Sequence, residues 1–287
     1  MDTLLAVPNV SEGRDSSVIE SVAGALRSHA RLLDVHSDPD HHRSVFTLAA
    51  PPGQLAEAVL RGAQQALTSI DVTAHQGVHP RIGAIDVAPV VYLDPRARGA
   101  ACAEALVLAD LLGAELGLPV FLYGALAGGR TRAQLRRGGP GELRRRIAAG
   151  ELAPDFGPRA LHPTGGAVLV GARAPLIAFN VELAAPATLE DATAIAASIR
   201  EGGPHGLTGL RAIGLWLSRR GVAQVSMNVE DHAATPLAAV VSAISRYGTP
   251  AEAELVGLAP RAAFDGFPAE FPVRGLRTIE DALGALA

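Results

Sequence analysis

The chain has no lysine: all 25 of its basic residues are arginine. Schiff-base and lysine-base mechanisms are thereby excluded. Codon bias is the simplest account of the missing lysine. Cys102 is the single cysteine, so no intrachain disulfide can form. It sits in an apolar helical pattern and reads as a buried core residue. The lack of disulfides suits a reducing, cytoplasmic setting. Long apolar runs are missing too. The most apolar helical stretch, near residues 100–117, is interrupted by Glu104, Asp110 and Glu115, which argues against a membrane span. The N-terminus has no basic stretch and breaks at Pro8, so no signal peptide is read there. The net charge of −4 disfavours a general nucleic-acid binder. Neither a Walker-type phosphate loop nor a Gly-x-Ser-x-Gly element is present. Nucleotide hydrolysis and serine or thiol catalysis therefore have little support.

What the chain does have is enough apolar residue, 48%, for a globular protein, and 287 residues, enough for two domains of about 150 residues each. Strand-like runs are read at 4–7, 32–35, 44–49, 85–92 and 120–123. Helical periods alternate with them: one to about Arg27, capped by Ser11 or Asp15, then 53–69 and 97–116. The arginine-dense stretch 130–146 reads as a solvated excursion with a helix near 141–149. A second set follows: strands at 167–171, 176–183, 211–217, 222–229 and 254–258, and helices at 188–200, 236–247 and 279–286. Ser-Arg-Arg-Gly at 218–221 is a good hairpin turn.

Both halves follow the order strand, helix, hairpin, helix, strand. That order suits an α+β fold of two similar ferredoxin-like βαββαβ subdomains, each a mostly antiparallel sheet with helices on one face. The Gly- and Pro-rich stretch 154–166 is the natural boundary, giving domains 1–165 and 166–287. In the strand at 222–229, Val225, Met227 and Val229 alternate with Gln224, Ser226 and Asn228. The polar face so formed is either solvent surface or the floor of a ligand groove, and pattern alone favours surface.

The segment from His75 to Asp86, His-Gln-Gly-Val-His-Pro-Arg-Ile-Gly-Ala-Ile-Asp, carries the most chemistry. Two histidines, an arginine and a carboxylate stand in a turn-rich loop that runs into an apolar strand, a common active-site arrangement. Five of the nine histidines, His36, His41, His42, His75 and His79, fall between positions 36 and 79. Histidine acid–base catalysis, a metal site and purely structural histidines are the three readings. Gly77 and Pro80 break any helix there, so His75 and His79 form no zinc-helix motif, and acid–base catalysis is preferred with no metal.

Several segments, taken in order, resemble the glutamate formimidoyltransferase family. They are Val7-Pro-Asn-Val-Ser-Glu-Gly-Arg14, His79-Pro-Arg-Ile-Gly-Ala-Ile-Asp86, Ala153-Pro-Asp-Phe-Gly-Pro158, Ile177-Ala-Phe-Asn180, Ala223-Gln-Val-Ser226 with Asn228, and Leu255-Val-Gly-Leu258. The resemblance covers essentially the whole chain. It implies formiminotransferase N- and C-terminal subdomains with a ligand tunnel between their sheets, and no cyclodeaminase domain such as bifunctional relatives carry. It implies transfer of a formimidoyl group from N-formimidoyl-L-glutamate to N5 of tetrahydrofolate, the co-substrate, in the one-carbon chemistry of histidine degradation. The family's catalytic histidine falls on His79. Its folate-contacting loop falls on Gly157, Pro158, Arg159, Ala160, Leu161, His162, Pro163, Thr164, Gly165 and Gly166, with Asn180, Gln224 and Asn228 as further folate contacts. No nucleic acid or membrane partner is expected, and a homodimer is an expectation from relatives only.

Chemistry adds substrate-binding candidates. Arg81 or Arg43 would grip a substrate carboxylate, since guanidinium does so bidentately. Asp86 would orient His79 or pair with Arg81. Asn9 and Glu12 would touch substrate or cap the first helix. His36 stands where family members carry an acidic residue, with His42 among the neighbours that compensate. A different donor, a formyl- or formimidoyl-amino-acid hydrolase, and a non-catalytic folate-binding protein are the alternatives.

Overall fold

A computed structural model describes residues 3–284. The fold is α+β, in two compact units that divide between Ala174 and Pro175.

In the first unit, β1 (Leu4–Ala6) and β2 (Asn9–Val10) form one line interrupted at Pro8. Proline offers no N–H to the ladder, so regular pairing stops there. Next come α1 (Ser16–Arg27), β3 (Arg31–Asp38), β4 (Arg43–Ala50), α2 (Leu55–Ser69), β5 (Ile85–Tyr92), α3 (Arg98–Leu116) and β6 (Val120–Leu122). The helices α4 (Arg132–Arg136) and α5 (Gly139–Ala148) and the strand β7 (Val168–Arg173) follow. The β1/β2 line lies between β4 and β5, antiparallel to both, and β3 flanks β4. On the other side β5, β7 and β6 run parallel.

Asp15 caps α1, accepting from the N–H groups of Ser17 and Val18, as one of the two expected caps. The apolar faces of α1, α2 and α3 close one core over the sheet. Glu104, expected as a charge on α3, is buried, and its carboxylate accepts the N–H groups of Gly53 and Ala56 at the start of α2. That satisfies orphan donors of the helix end. Cys102 is half-buried at the margin of this core, less enclosed than the pattern suggested.

Two expectations change here. Helices do not keep to one face, because α4 and α5 bury Leu135 and Leu143 with Val87, Phe121 and Leu169 in a separate core. Along β5, Val87 alternates with Ala88, which belongs to the first core, so the two cores lie on opposite faces. The β7 strand reads Val-Leu-Val-Gly-Ala without alternation, as suits a strand covered on both sides. That strand, grouped on sequence with the second half, hydrogen-bonds to β5 and β6, and the stretch 154–166 lies inside the first unit.

The second unit contains β8 (Ile177–Leu183), α6 (Leu189–Ile199), β9 (Leu210–Leu217), β10 (Val222–Val229), α7 (Leu237–Ser245), β11 (Pro250–Val256), β12 (Val273–Arg274) and α8 (Ile279–Gly284). The sheet order is β12-β11-β8-β10-β9. Val225, Met227 and Val229 face the core with α6 and α7. The last positions of the expected closing helix, 285 and 286, lie outside the described residues. No described helix is long and apolar enough to cross a membrane.

Candidate active site

Between α2 and β5 the chain makes a loop wrapped around the guanidinium of Arg81. That group donates to the carbonyls of Gly77 (3.2 Å), His79 (3.5 Å) and His75. Its donors thus hold the loop's own backbone. The loop docks on the turn between β3 and β4. Val78 N–H donates to Asp40 O, and His75 Nε2 donates to His42 O at 2.8 Å. The His42 and His75 rings stack with centroids 4.1 Å apart. A Cβ on Gly77 would lie 2.5 Å from His41 O, so only glycine permits this approach.

Among the described residues, His42 is the one non-glycine with a left-handed backbone, at φ 51°. Such strain persists where the surroundings impose it. Here His42 Nδ1 accepts from Gly13 N–H at 3.1 Å. The N-terminal segment is held in turn by Ser11, whose hydroxyl and N–H go to the carbonyls of Gly83 and Ala84.

His79 lies at the centre, followed by Pro80, which restricts its backbone. Its Nε2 is 2.8 Å from Arg43 Nη1. Arginine can only donate, so Nε2 is the acceptor and the ring is neutral. Its ring faces that of His41 at 5.8 Å. Burial, then Arg43, Arg136 and His41, hold the imidazole well below the ordinary histidine range. His75 is pushed down to about 4, chiefly by burial.

The hydrogen bonds of Asp86 go neither to His79 nor to Arg81, although its charge acts on Arg81. One oxygen accepts Ile82 N–H at 2.7 Å, and the other binds Arg136 from α4. Both side chains are largely enclosed, 3% and 14% exposed. The arginine-dense excursion is therefore not wholly solvated. Arg43, rather than Arg81, reaches the imidazole. Sheet register puts His36, Arg43, Val45 and Asn9 on one face of β3, β4 and β2. His36 is half-buried opposite Val45. The Asn9 amide donates to Val7 O, and Glu12 accepts from Arg14 and Asp15 just ahead of α1.

The loop 157–166 docks beside this site. His162 and Gly166 exchange both backbone hydrogen bonds, and His162 Nδ1 accepts Gly165 N–H at 2.8 Å. Gly165 O accepts from Ala84 N–H, and Ala167 N–H donates to Ile82 O, at the residues just after the histidine loop. Gly157, Pro158, Arg159, Ala160, Pro163 and Thr164 are exposed, while Leu161 packs under the loop.

In the second unit, Asn180 and Gln224 are buried and Asn228 is half-buried. The polar face of β10 is thus not plain solvent surface. Asn180 donates to Glu254 at 3.1 Å. Arg274 binds Glu182, Glu252 and Glu254, and Arg220 binds Glu182 and Glu252. Burial raises the Glu182 carboxyl against the pull of both arginines. Sequence reasoning missed this network and Arg136. The signals were Glu182 two positions from Asn180, and Leu135 beside Arg136 in a stretch otherwise polar. Among the described residues no three His, Cys, Asp or Glu side chains converge as a metal site would need.

The family model described as "Formiminotransferase domain, N-terminal subdomain" matches residues 3–173, and that described as "Formiminotransferase domain" matches 178–266. The chain is 37% identical to a glutamate formimidoyltransferase of Streptococcus pyogenes serotype M1 over 90% of its own length and 89% of the relative's. It is 34% identical to the Thermoplasma acidophilum protein of the same name, over 92% and 90%. It is 37% identical to a formimidoyltransferase-cyclodeaminase of Sus scrofa, over 88% of this chain and 49% of that protein.

Proposed function

This chain belongs to the formiminotransferase family, and we propose that it moves a formimidoyl group from N-formimidoyl-L-glutamate to N5 of tetrahydrofolate, releasing glutamate, in histidine degradation. The observation that carries the reading is a neutral, half-buried His79 beside Arg43, with the loop 157–166 hydrogen-bonded to the segment that follows it.

N5 attacks the amidine carbon and forms a tetrahedral intermediate. His79 takes the N5 proton, then gives it to the glutamate nitrogen as the C–N bond breaks. The products are 5-formimidoyl-tetrahydrofolate and glutamate, with no net proton lost. The sequence suggested an imidazole titrating near the working pH. Its site instead makes it a weak base, and so a strong acid once protonated. That favours the second proton transfer, toward the leaving nitrogen. Arg43 takes a donor carboxylate, and the exposed backbone of 157–164 contacts the folate. Asn180, Gln224 and Asn228 are folate contacts on the resemblance, as is a tunnel lined by the two sheets. The ferredoxin-like description is supported by the strand order within each unit. In the first, the β1/β2 line lies between β4 and β5 with β3 outside, and in the second β8 lies between β10 and β11 with β9 outside.

The test is incubation of the protein with formimidoyl-glutamate and tetrahydrofolate. The expected result is 5-formimidoyl-tetrahydrofolate in step with glutamate. Glutamate released without folate would mark a hydrolase instead. Folate binding without turnover would mark a binding protein.

A further inference from the structure

Arg136 makes one hydrogen bond among the described residues, from Nη2 to Asp86. Its Nε is buried and has no hydrogen-bond partner among them. Buried polar atoms are nearly always paired, so an exception calls for a physical reason. Other arginines of the same unit are more fully used. Arg81 donates to the loop carbonyls, and Arg130 spends Nε and Nη2 on Leu122 O. Arg136 is not loosely held. Thr131 and Gln134 close a capping box at the start of α4, and Arg146 donates to Gln134 O at 3.0 Å. Leu135, its neighbour in the chain, is buried in the core that also takes Ile82, at the end of the histidine loop, and Leu161, from the loop 157–166. Arg136 therefore stands where the two loops meet, near enough to His79 for its charge to bear on the ring.

The guanidinium is already paired with the Asp86 carboxylate, so it offers N–H donors with little net charge. A second carboxylate there would be set against Asp86, and like charges repel. A neutral carbonyl is the fitting acceptor. The pterin of tetrahydrofolate has one, O4, on the same ring edge as N5, since C4 and N5 are both bonded to C4a. A base placed to take the N5 proton therefore has O4 beside it. We propose that Arg136 orients the pterin by donating to O4 from the edge of its guanidinium that carries Nε–H, and so presents N5 to His79. The inference rests on tetrahydrofolate as the acceptor in the proposed function.

The experiment is anaerobic titration calorimetry of the full chain with tetrahydrofolate and with its 4-amino analogue, tetrahydroaminopterin, in which an N–H donor replaces O4. The wild type should favour the 4-oxo compound by about 10- to 100-fold, the effect of one hydrogen bond to a charged group. Arg136→Met should abolish most of that preference. Because it leaves Asp86 unpaired, Asp86→Asn/Arg136→Met is the second variant. It removes both charges, keeps an oxygen for Ile82 N–H, and should show the same loss. A preference kept in the double variant, or absent from the wild type, overturns the contact. An unchanged preference with a raised KM for formimidoyl-glutamate overturns it in favour of a donor carboxylate. No binding of either pterin by the wild type overturns instead the folate reading of the proposed function. Binding with the expected preference but without turnover overturns the transfer and leaves the contact standing.

Discussion

Gly83 and Gly166 face each other as an isolated antiparallel bridge, and neither has room for a Cβ. A Cβ on Gly83 would lie 1.8 Å from Ala167 O, and one on Gly166 would lie 2.1 Å from Ile82 O. The bridge ties the loop 157–166 to the end of the histidine loop. Gly83→Ala should force the two backbones apart and weaken tetrahydrofolate binding about fivefold or more, given an overpacking cost of about 1–3 kcal/mol. Gly141→Ala, in helix α5 with nothing within 4 Å, is the control and should leave binding unchanged. Titration calorimetry with tetrahydrofolate reads both.

His79→Ala should lower turnover by about 10²–10⁴-fold, the range of one acid–base group. Folding should be intact by circular dichroism. Turnover near the wild-type rate would remove His79 from the mechanism.

Asp86→Ala leaves Arg136 enclosed without its carboxylate and Ile82 N–H without its acceptor. Breaking an enclosed ion pair from one side costs about 3–5 kcal/mol. Equilibrium unfolding in urea should show that loss. The double variant Asp86→Ala/Arg136→Leu should lose less than the two single variants added together. Additive losses would mean that the pair does not act as a unit.

Arg81→Met should loosen the loop without emptying a carboxylate site. Hydrogen bonds to a charged group contribute about 1.5–3 kcal/mol each when made well. Amide hydrogen exchange across 75–81 should rise sharply. Unchanged exchange there would show that the loop holds its shape without this guanidinium.

His75 titrates at about 4 in the fold against 6.5 in the open chain, and His79 is also held low. Between those pH values the unfolded chain binds more protons, so stability falls as pH drops from 6.5 toward 4. His75→Gln should flatten the slope of unfolding free energy against pH in that window. A slope equal to the wild type's would exclude His75 as a contributor.

The sequence by itself determined the elements and the chemistry-bearing loop. The strand Ile85–Tyr92 was legible in its full extent, because a short, largely apolar run bounded by turn residues, with Asp86 its one charged position, has few other conformations open to it. The loop before it was legible because Gly77, Pro80 and Gly83 interrupt any regular period. Partnership was not legible. Asp86 takes Arg136, fifty positions on, rather than Arg81 nearby, and β7 joins the first sheet rather than the second. Gln224 and Glu182 sit buried on a face that alternation made look solvated. Secondary structure follows from sterics and apolar spacing within a few residues, which a sequence displays. An ion pair or a neighbouring strand is chosen by what packing brings within a few ångströms, and separation along the chain does not encode that distance.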